Sequence, residues 1–307
     1  MEELALLVEW RGLVAAPVRE RSRKTAAGPP CLGAGANVLD DGDAVWALDA
    51  GLDEDRRREG AAICARQGEC VPVWWRGEYE RRAGGAWNAF YKRHGDKAYS
   101  DRHWLDAAWG AAFARESGTV VEIGCGAGNA LFPILAARPG WRGVAVDFAP
   151  AALALLRARP DYDASRVDAR VCDVSRDPVP VADGGADVVS CLFVLSAVEP
   201  ASLAGVLAEL HRALRVGGRV LFRDYGRYDE AQLRYKPGRK LAEHFYVKQD
   251  GTRCFYFDVA DVRAAFEAAG FTVAALDFVC RQDANRATRT RRRRVFVQGT
   301  FEKPPPP

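Results

Sequence analysis

The stretch at residues 120–128 constrains the fold of this chain more than any other part of the sequence. It reads Val-Val-Glu-Ile-Gly-Cys-Gly-Ala-Gly, an apolar run that ends in an acid and then in glycines at three alternate positions. An apolar pattern follows at Ala130, Leu131, Ile134 and Leu135. β-Branched runs favour strands, glycines permit positive φ, and apolar residues spaced by three and four favour a helix. The segment is therefore predicted to be a strand, a tight turn and a helix.

The spacing of Gly124, Gly126 and Gly128 indicates what the turn could bind. A dinucleotide-binding G-x-G-x-x-G loop would need glycine at position 129, where the chain has Asn129. The pattern E-x-G-x-G-x-G resembles instead the S-adenosylmethionine loop of class I methyltransferases, in which the methionine part of the ligand packs on the glycines. A glycine-rich turn in an α/β protein that binds no ligand is the alternative interpretation.

Acidic residues end the next two predicted strands. Asp147 follows the apolar run that starts at Gly143, where a second parallel strand would offer a carboxylate to a ribose diol. Asp173 ends a third run, where it could hold an adenine amino group, and a fourth run covers 186–198. Because parallel strands end at one edge of a sheet, these acids are predicted to lie together. Taken singly, each acid has the simpler interpretation of a helix cap or a surface residue.

Composition and charge exclude several classes of protein. A chain of 307 residues can form one large α/β domain with an appendage, and its net charge of +3 predicts no partner. Eight cysteines without a C-x-x-C pair, and only four histidines, argue against a disulfide framework and against a metal site. The apolar run between Asp187 and Glu199 is too short to cross a membrane. We expect a reducing, cytoplasmic location and no membrane contact, while the basic residues at 19–24 leave an organelle address open.

The N-terminal third divides into two segments by composition. Residues 1–70 are rich in Ala, Gly, Arg and Asp and are predicted to be a poorly ordered or variable extension, with short helices at 4–10 and 53–65. Residues 71–117 interleave aromatic and basic side chains, and a helix is predicted over 78–91 with Trp87 and Tyr91 on one face. Flat rings beside cations suit single-stranded nucleic acid, so this segment is predicted to cover the cofactor and an RNA.

A methyltransferase-like domain is predicted over 118–303. Its helices are expected at 129–137, 150–158 and 202–214, and Gly217-Gly218 is expected to end the last of these before a fifth strand at 219–225. The other predicted parts are an insertion at 226–257 rich in bases and aromatics, a helix capped by Asp258, strands at 271–280 and 295–301, a basic loop at 281–294 and a tail at 304–307. The basic segments are predicted to bind phosphate.

Several short motifs carry a closer resemblance. They are Trp87-x-x-x-Tyr91, Asp101-Arg-His-Trp, Glu122-Ile-Gly-Cys-Gly-Ala-Gly-Asn, Asp147-Phe-Ala-Pro, Cys172-Asp, Phe193-Val-Leu-Ser-Ala, Leu221-Phe-Arg-Asp-Tyr-Gly, Asp250-Gly-Thr-Arg and Asn285-Arg286. Over about residues 71–303 the chain resembles the tRNA N3-methylcytidine methyltransferases of the methyltransferase-like proteins. The Asp-Arg-His-Trp and Phe-Arg-Asp-Tyr-Gly motifs are far more specific to that family than the glycine loop. Ala98-Tyr-Ser departs from the family pattern by one aromatic and one cation, which puts the tRNA identity in doubt more than the reaction.

The resemblance implies a fold, a reaction and a set of contacts. The fold would be α/β, a Rossmann-like seven-stranded mixed sheet with the last strand antiparallel and with N-terminal and mid-chain RNA-binding additions. The reaction would be S-adenosylmethionine-dependent methylation of N3 of a cytidine, at position 32 of the anticodon loop, in a subset of tRNAs. An aminoacyl-tRNA synthetase or another RNA-binding subunit stays open as a partner. The implied cofactor contacts are Trp87, Tyr91, Gly124, Gly126, Gly128, Asp147, Asp173, Val174 and Leu192.

Candidate catalytic roles follow from the chemistry of the base. Cytosine N3 carries an in-plane lone pair, so methyl transfer needs positioning more than a general base. Asp224 could accept a hydrogen bond from the exocyclic amine, and Tyr225 or Phe193 could stack on the base. The alternative for Asp224 is an ion pair with Arg223 or a helix cap. The predicted substrate-binding residues are Lys92, Arg93, Arg102, His103, Arg223, Arg227 and Arg286.

Two other functions compete with this interpretation. The same core serves small-molecule methyltransferases, and it could also be a non-catalytic RNA-binding protein with a methyltransferase fold. Three separate basic and aromatic segments argue against the first, and the complete set of glycines and strand-end acids argues against the second.

Overall fold

The computed structural model of the chain describes residues 52, 54–285 and 290–306. The helix predicted at 4–10, most of the predicted extension, and Arg286 lie outside these residues. The described helices are α1 (Glu54–Ala65), α2 (Val73–Arg81), α3 (Ala83–His94), α4 (Leu105–Trp109), α5 (Leu131–Ala136), α6 (Pro150–Arg157), α7 (Leu203–Ala213), α8 (Glu230–Leu233) and α9 (Val259–Ala268). The described strands are β1 (Gly118–Ile123), β2 (Trp141–Asp147), β3 (Val167–Val171), β4 (Ala186–Leu192), β5 (Leu214–Tyr225), β6 (Lys240–Ala242), β7 (Phe245–Val247), β8 (Arg253–Phe255), β9 (Thr272–Asn285) and β10 (Thr290–Glu302).

Seven of the described strands form one mixed sheet in the order β3-β2-β1-β4-β5-β10-β9. The first five are parallel to one another, and β10 runs antiparallel to both β5 and β9. This confirms the predicted seven-stranded sheet with an antiparallel last strand. The chain order reverses between β1 and β4, and ligands of open α/β sheets bind outside the strand ends at such a point.

Helices cover both faces of the parallel strands, which explains why those strands read as continuous apolar runs. On one face α7 buries Val206, Leu207 and Leu210, the stripe that the sequence predicts. On the other face α5 and α6 bury Leu131 and Leu153. The predicted cap of α9 is also present, because the side chain of Asp258 accepts a hydrogen bond from the backbone N–H of Ala260.

Two predicted boundaries were wrong. The single helix predicted over 78–91 is interrupted at Arg82, where φ is −94° and ψ is 0°. The next helix starts with Ala83, Gly84 and Gly85, and glycine is a poor helix former. The fifth strand begins at Leu214 instead of after Gly217-Gly218, and the backbone N–H of Gly217 pairs with the carbonyl of Lys303. These glycines therefore lie within a strand and do not end the preceding helix.

The segments predicted to lack regular structure contain strands. The insertion at 226–257 forms α8 and a small antiparallel sheet, β6-β7-β8. Its apolar residues pack on Trp75 and Tyr79 of α2; they are Leu241, Phe245 and Val247. Because these contacts are made with a distant part of the chain, the insertion shows no clear hydrophobic periodicity in its own sequence. Likewise β9 and β10 extend into the predicted basic loop, where Arg294 lies opposite Arg281. Cross-strand pairing decides the structure there in spite of the like charges.

Two global properties accompany this fold. The seven cysteines of the described residues are all free thiols. None of the helices in the described chain combines the length and the apolar character needed to span a membrane.

Candidate active site

The glycine-rich turn joins β1 to α5 at the point where the strand order reverses. Gly124 and Gly126 have φ values of 58° and 55°. A Cβ atom at Gly124 would lie 2.5 Å from Cγ2 of Val194, and one at Gly126 would lie 2.5 Å from the hydroxyl of Tyr91. Both the backbone conformation and the close neighbours therefore require glycine.

Asp147, at the end of β2, holds this turn in place. Its Oδ2 accepts from the backbone N–H of Gly126 at 3.0 Å, and its Oδ1 accepts from the backbone N–H of Ala149 at 2.8 Å. Burial raises the pKa of Asp147 to about 6, against the lowering effect of these two hydrogen bonds. A carboxylate oxygen accepts more than one hydrogen bond, so Asp147 can also serve a ribose hydroxyl.

A cavity of 320 Å³ lies beside the turn and is within the range of about 300–1,000 Å³ found for small-molecule sites. Six of the predicted cofactor residues line it: Trp87, Tyr91, Gly124, Asp147, Asp173 and Val174. The other three predicted cofactor residues do not line it: Gly126 and Gly128 lie in the turn between β1 and α5, and Leu192, the last residue of β4, is 5% exposed. The combination of two strand-end acids, aromatic rings and a turn open to backbone contact fits an adenosine with a ribose diol.

Asp173 is partly engaged by its own loop. Its Oδ1 accepts from the backbone N–H of Ser175 at 3.1 Å and from the Ser175 hydroxyl at 2.6 Å. Its Oδ2 lies 3.7 Å from Nε of Arg176. The carboxylate is thus held at the cavity rim with lone pairs left over for a donor such as an adenine amine.

An ion-pair cluster that the sequence did not reveal closes one wall of the cavity. Arg253 of β8 pairs with Glu80 of α2, and its Nη1 lies 3.3 Å from Oε2 of Glu199. Its Nη2 donates to the carbonyl of Ala197 at 3.0 Å. Burial lowers the pKa of Arg253 to about 10, and the side chain is 4% exposed. One guanidinium therefore joins the N-terminal helices, the insertion and the loop after β4.

Aromatic rings and cations cluster at the ends of β4 and β5. The guanidinium of Arg102 lies 4.7 Å from the ring centre of Phe193, and that of Arg223 lies 4.4 Å from Trp104. The rings of Phe193 and Tyr225 are 5.2 Å apart. Phe193 has a φ of 61°, a conformation that costs about 1–3 kcal/mol for such a residue and that often accompanies function.

The Asp101-Arg-His-Trp motif fixes Arg102 against the glycine-rich turn. Asp101 accepts from Nδ2 of Asn129 at 2.9 Å and pairs with Arg159 at 2.9 Å. The backbone N–H of Arg102 donates to the carbonyl of Asn129 at 2.8 Å. The motif thus connects the N-terminal segment to the last residues of the turn.

Asp224 is completely buried beneath this cluster. Its Oδ2 accepts from the backbone N–H of Ser196 at 2.9 Å, and its Oδ1 accepts from the backbone N–H of Tyr225 at 2.9 Å. Burial raises the pKa of Asp224 to about 6. The hydrogen bond from Ser196 satisfies a backbone donor of the short 3-10 helix Leu195–Ala197. Asp224 therefore has the helix-capping role that the sequence left open as an alternative to base binding. A direct contact between Asp224 and a base stays a prediction.

The other predicted substrate-binding cations divide into two groups. Lys92, Arg93 and His103 are exposed and available to a ligand. Arg227 pairs with Asp261 and lies 3.8 Å from Asp258, so its charge is directed at α9 instead of at an open surface. Arg286 lies outside the described residues.

The structure adds cations that were predicted only as members of basic segments. Nζ of Lys248 lies close to Trp87 and Tyr225, and the guanidinium of Arg294 lies 5.5 Å from the Tyr225 ring. The signal available in the sequence was the basic and aromatic composition of the insertion, which does not single out a residue. The part of the chain that is described contains no group of three or more His, Cys, Asp or Glu side chains arranged to hold a metal ion.

The buried carboxyl group of Glu122, near the end of β1, should make the stability of the folded protein depend on pH. It is 4% exposed, its Oε2 has no hydrogen-bond partner among the described residues, and burial raises its pKa to about 8, against the opposing charge of Arg102. A carboxyl whose folded-state pKa is raised stabilises the fold below its unfolded pKa and loses that contribution as the pH rises through about 8. We expect the cofactor-free protein to lose thermal stability from about pH 6.5 to about pH 9, and Glu122→Gln to lose less.

The measurement is thermal denaturation at the two pH values without cofactor. The exposed Glu116→Gln is the matched control and should follow the parent. An identical pH dependence of the parent and Glu122→Gln would contradict the expectation.

The sheet order, the glycine-rich turn and the acid-lined cavity define a class I S-adenosylmethionine-dependent methyltransferase. A family model described as a methyltransferase domain matches residues 121–220. Burkholderia thailandensis 1,6-didemethyltoxoflavin-N1-methyltransferase, solved with S-adenosylhomocysteine, superposes with a TM-score of 0.53 at 17% identity, covering 77% of this chain and 92% of that chain. At that identity the likeness concerns the fold alone.

Curated relatives give the particular family. The chain is 38% identical over 233 residues to the tRNA N(3)-cytidine methyltransferase METTL6 of Homo sapiens, covering 74% of this chain and 82% of that protein. It is 33% identical over 288 residues to the tRNA N(3)-methylcytidine methyltransferase Mettl2 of Drosophila melanogaster, covering 89% of each. The chain belongs to the tRNA N(3)-cytidine methyltransferase family.

Proposed function

We propose that this protein methylates N3 of a cytidine in tRNA, at position 32 of the anticodon loop in a subset of tRNAs. The observation that carries the proposal is the cluster of rings and cations around Phe193, Tyr225 and Arg102, next to a cavity suited to adenosine. Rings hold an unstacked base and cations hold its phosphates. The names of the curated relatives support the same reaction.

The residues of the chain act mainly by positioning. S-adenosylmethionine, when bound, supplies an electrophilic methyl group. Phe193 and Tyr225 lie where they could stack on an extruded cytosine, and the buried Asp224 stabilises the loop that carries Phe193. Holding N3 in line with the methyl group accounts for much of such a rate enhancement, because cytosine N3 needs no deprotonation at neutral pH.

The surface around the site supports a large polyanionic substrate over a small molecule. Lys92, Arg93 and His103 of the 71–117 segment are exposed, as are Arg292 and Arg293 on β10. The segments 71–117 and 226–257 would then be the RNA-binding additions to the 118–303 domain. Exposed cations of this kind give sequence-independent affinity, so an aminoacyl-tRNA synthetase or another RNA-binding subunit could select the tRNA.

The test is methyl transfer from labelled S-adenosylmethionine to total tRNA, followed by nucleoside mass spectrometry. We expect N3-methylcytidine with the parent protein and none with Asp147→Ala, because that variant loses the hydrogen bond to Gly126 and the proposed ribose contact. The exposed Asp277→Asn should keep activity. Cofactor binding without N3-methylcytidine, in assays with and without cell extract, would contradict the proposal.

A further inference from the structure

Lys248 lies between the cofactor cavity and the ring cluster. Its Nζ is 5.8 Å from the ring centre of Trp87 and 5.7 Å from that of Tyr225. Trp87 lines the cavity, whereas Tyr225 ends β5 and contacts Phe193. The ammonium group therefore lies near the place where a methyl group would pass from the cofactor to a base.

Lys248 makes no ion pair with a described residue, although the buried carboxylate of Asp224 is close enough to interact with its charge. The side chain is half-buried, and no carboxylate of the described residues lies within ion-pair distance of its Nζ. Arg253, on the next strand of the same hairpin, is instead satisfied by Glu80, Glu199 and a carbonyl. A half-buried cation with donors left over favours a ligand that brings an acceptor.

The proposed function and the chemistry of cytosine identify that acceptor. We propose that Lys248 donates a hydrogen bond to the O2 carbonyl of the target cytosine. An ammonium group only donates; the exocyclic N4 of cytosine is also a donor, and N3 must stay free for the methyl group. O2 is the acceptor that remains, and it lies next to N3 on the same edge of the base.

The position of Lys248 favours a base oxygen over a phosphate oxygen. A phosphate bound to its Nζ would lie close to the rings of both Trp87, at the cofactor cavity, and Tyr225. Arg292 and Arg293 are exposed and offer phosphate contacts without such burial. The target base, by contrast, must approach the cofactor for transfer to occur.

A cation at O2 also has an electrostatic consequence. It repels a cytosine that is protonated at N3 and so favours the neutral base, whose lone pair is free. The methylated product carries a positive charge, and the same repulsion favours its release. Burial raises the pKa of Asp224 and the nearby charge of Lys248 opposes that shift, so the ionised Asp224 carboxylate offsets part of this repulsion during transfer.

The test compares Lys248→Met with Arg263→Met, which removes an exposed cation on α9, outside the segments proposed to bind RNA. The substrates are one tRNA transcript with cytidine or 2-thiocytidine at the target position, because sulfur is a weaker acceptor than oxygen. In single turnover we expect Lys248→Met to slow methylation of cytidine about 10- to 100-fold, because the base loses the contact that orients N3 toward the methyl group, and this loss outweighs the relief of charge repulsion. The thio substitution also changes the reactivity of N3 in every variant, so the expected result is a larger slowing of the parent and of Arg263→Met than of Lys248→Met. Lys248→Arg should restore part of the rate, and affinity for S-adenosylhomocysteine should stay unchanged.

Other outcomes overturn the assignment. Equal slowing of the parent and Lys248→Met by 2-thiocytidine would exclude the O2 contact. A methylphosphonate beside the target whose effect disappears in Lys248→Met would assign Lys248 to phosphate, and a loss of cofactor affinity in that variant would assign it a structural role. If the parent makes no N3-methylcytidine on the unmodified transcript with or without cell extract, the proposed function fails as well; failure of the thio comparison alone leaves that function intact.

Discussion

Replacing Gly124 with alanine is expected to raise the dissociation constant for S-adenosylmethionine on the order of 100-fold. A non-glycine residue at the observed φ of 58° costs about 1–2 kcal/mol. The new Cβ would also lie 2.5 Å from Val194, and overpacking of this kind costs about 1–3 kcal/mol. Both Gly124 and Val194 line the cavity, so relaxation of either one moves its wall. Isothermal titration with S-adenosylhomocysteine measures the effect directly.

Gly205→Ala is the matched control for this change. Gly205 lies in α7, and a Cβ there would meet no atom within 4 Å. Alanine is the better helix former by about 1 kcal/mol, so this variant should bind the cofactor normally and be at least as stable as the parent. Unchanged affinity in Gly124→Ala would show that the cofactor does not pack on the turn.

The sequence predicted those parts of the fold that local pattern determines. The strand, turn and helix around Gly124 combine a buried strand, a turn that requires glycine and an apolar helix, each recognisable from neighbouring residues. Asp147 could be predicted for the same reason, since it directly follows an apolar strand that must end at the same sheet edge. The cap at Asp258 is also local, because it depends on one side chain and the backbone two residues later.

The parts that were missed depend on contacts between distant segments. The break at Arg82 and the sheet β6-β7-β8 arise where α2 packs on the insertion, and no local period records that contact. The β9-β10 hairpin extends through residues whose charges suggested a loop, because its pairing partner lies across the turn. Arg253 and Lys248 were missed for the same reason. Both belong to the insertion, and its basic composition does not show which of its cations face the site in the folded protein.

Asp224→Asn is expected to lower the rate of methyl transfer and the cofactor affinity together. Asparagine offers one acceptor oxygen, whereas Asp224 accepts through both oxygens, so its amide group would face a backbone N–H. Leaving a buried donor unpaired costs about 1–3 kcal/mol of stability. The loop after β4, which Asp224 holds through the backbone N–H of Ser196, would shift. This loop carries both Phe193 and the cavity-lining Val194. A displacement of about 1 Å can lower the rate about 100-fold.

Asp277→Asn is the matched control, because it makes the same change of side chain at an exposed position. Asp277 also accepts from the backbone N–H of the next residue, at 2.7 Å, but it is exposed, so water can replace the lost bond. Thermal denaturation, titration with S-adenosylhomocysteine and single-turnover transfer to tRNA should leave this variant close to the parent, while Asp224→Asn changes in all three. A reduced rate at normal stability and normal cofactor affinity would instead mean that Asp224 contacts the base. The two roles therefore differ in whether cofactor binding changes, because the loop that Asp224 holds through Ser196 carries residues that line the cavity.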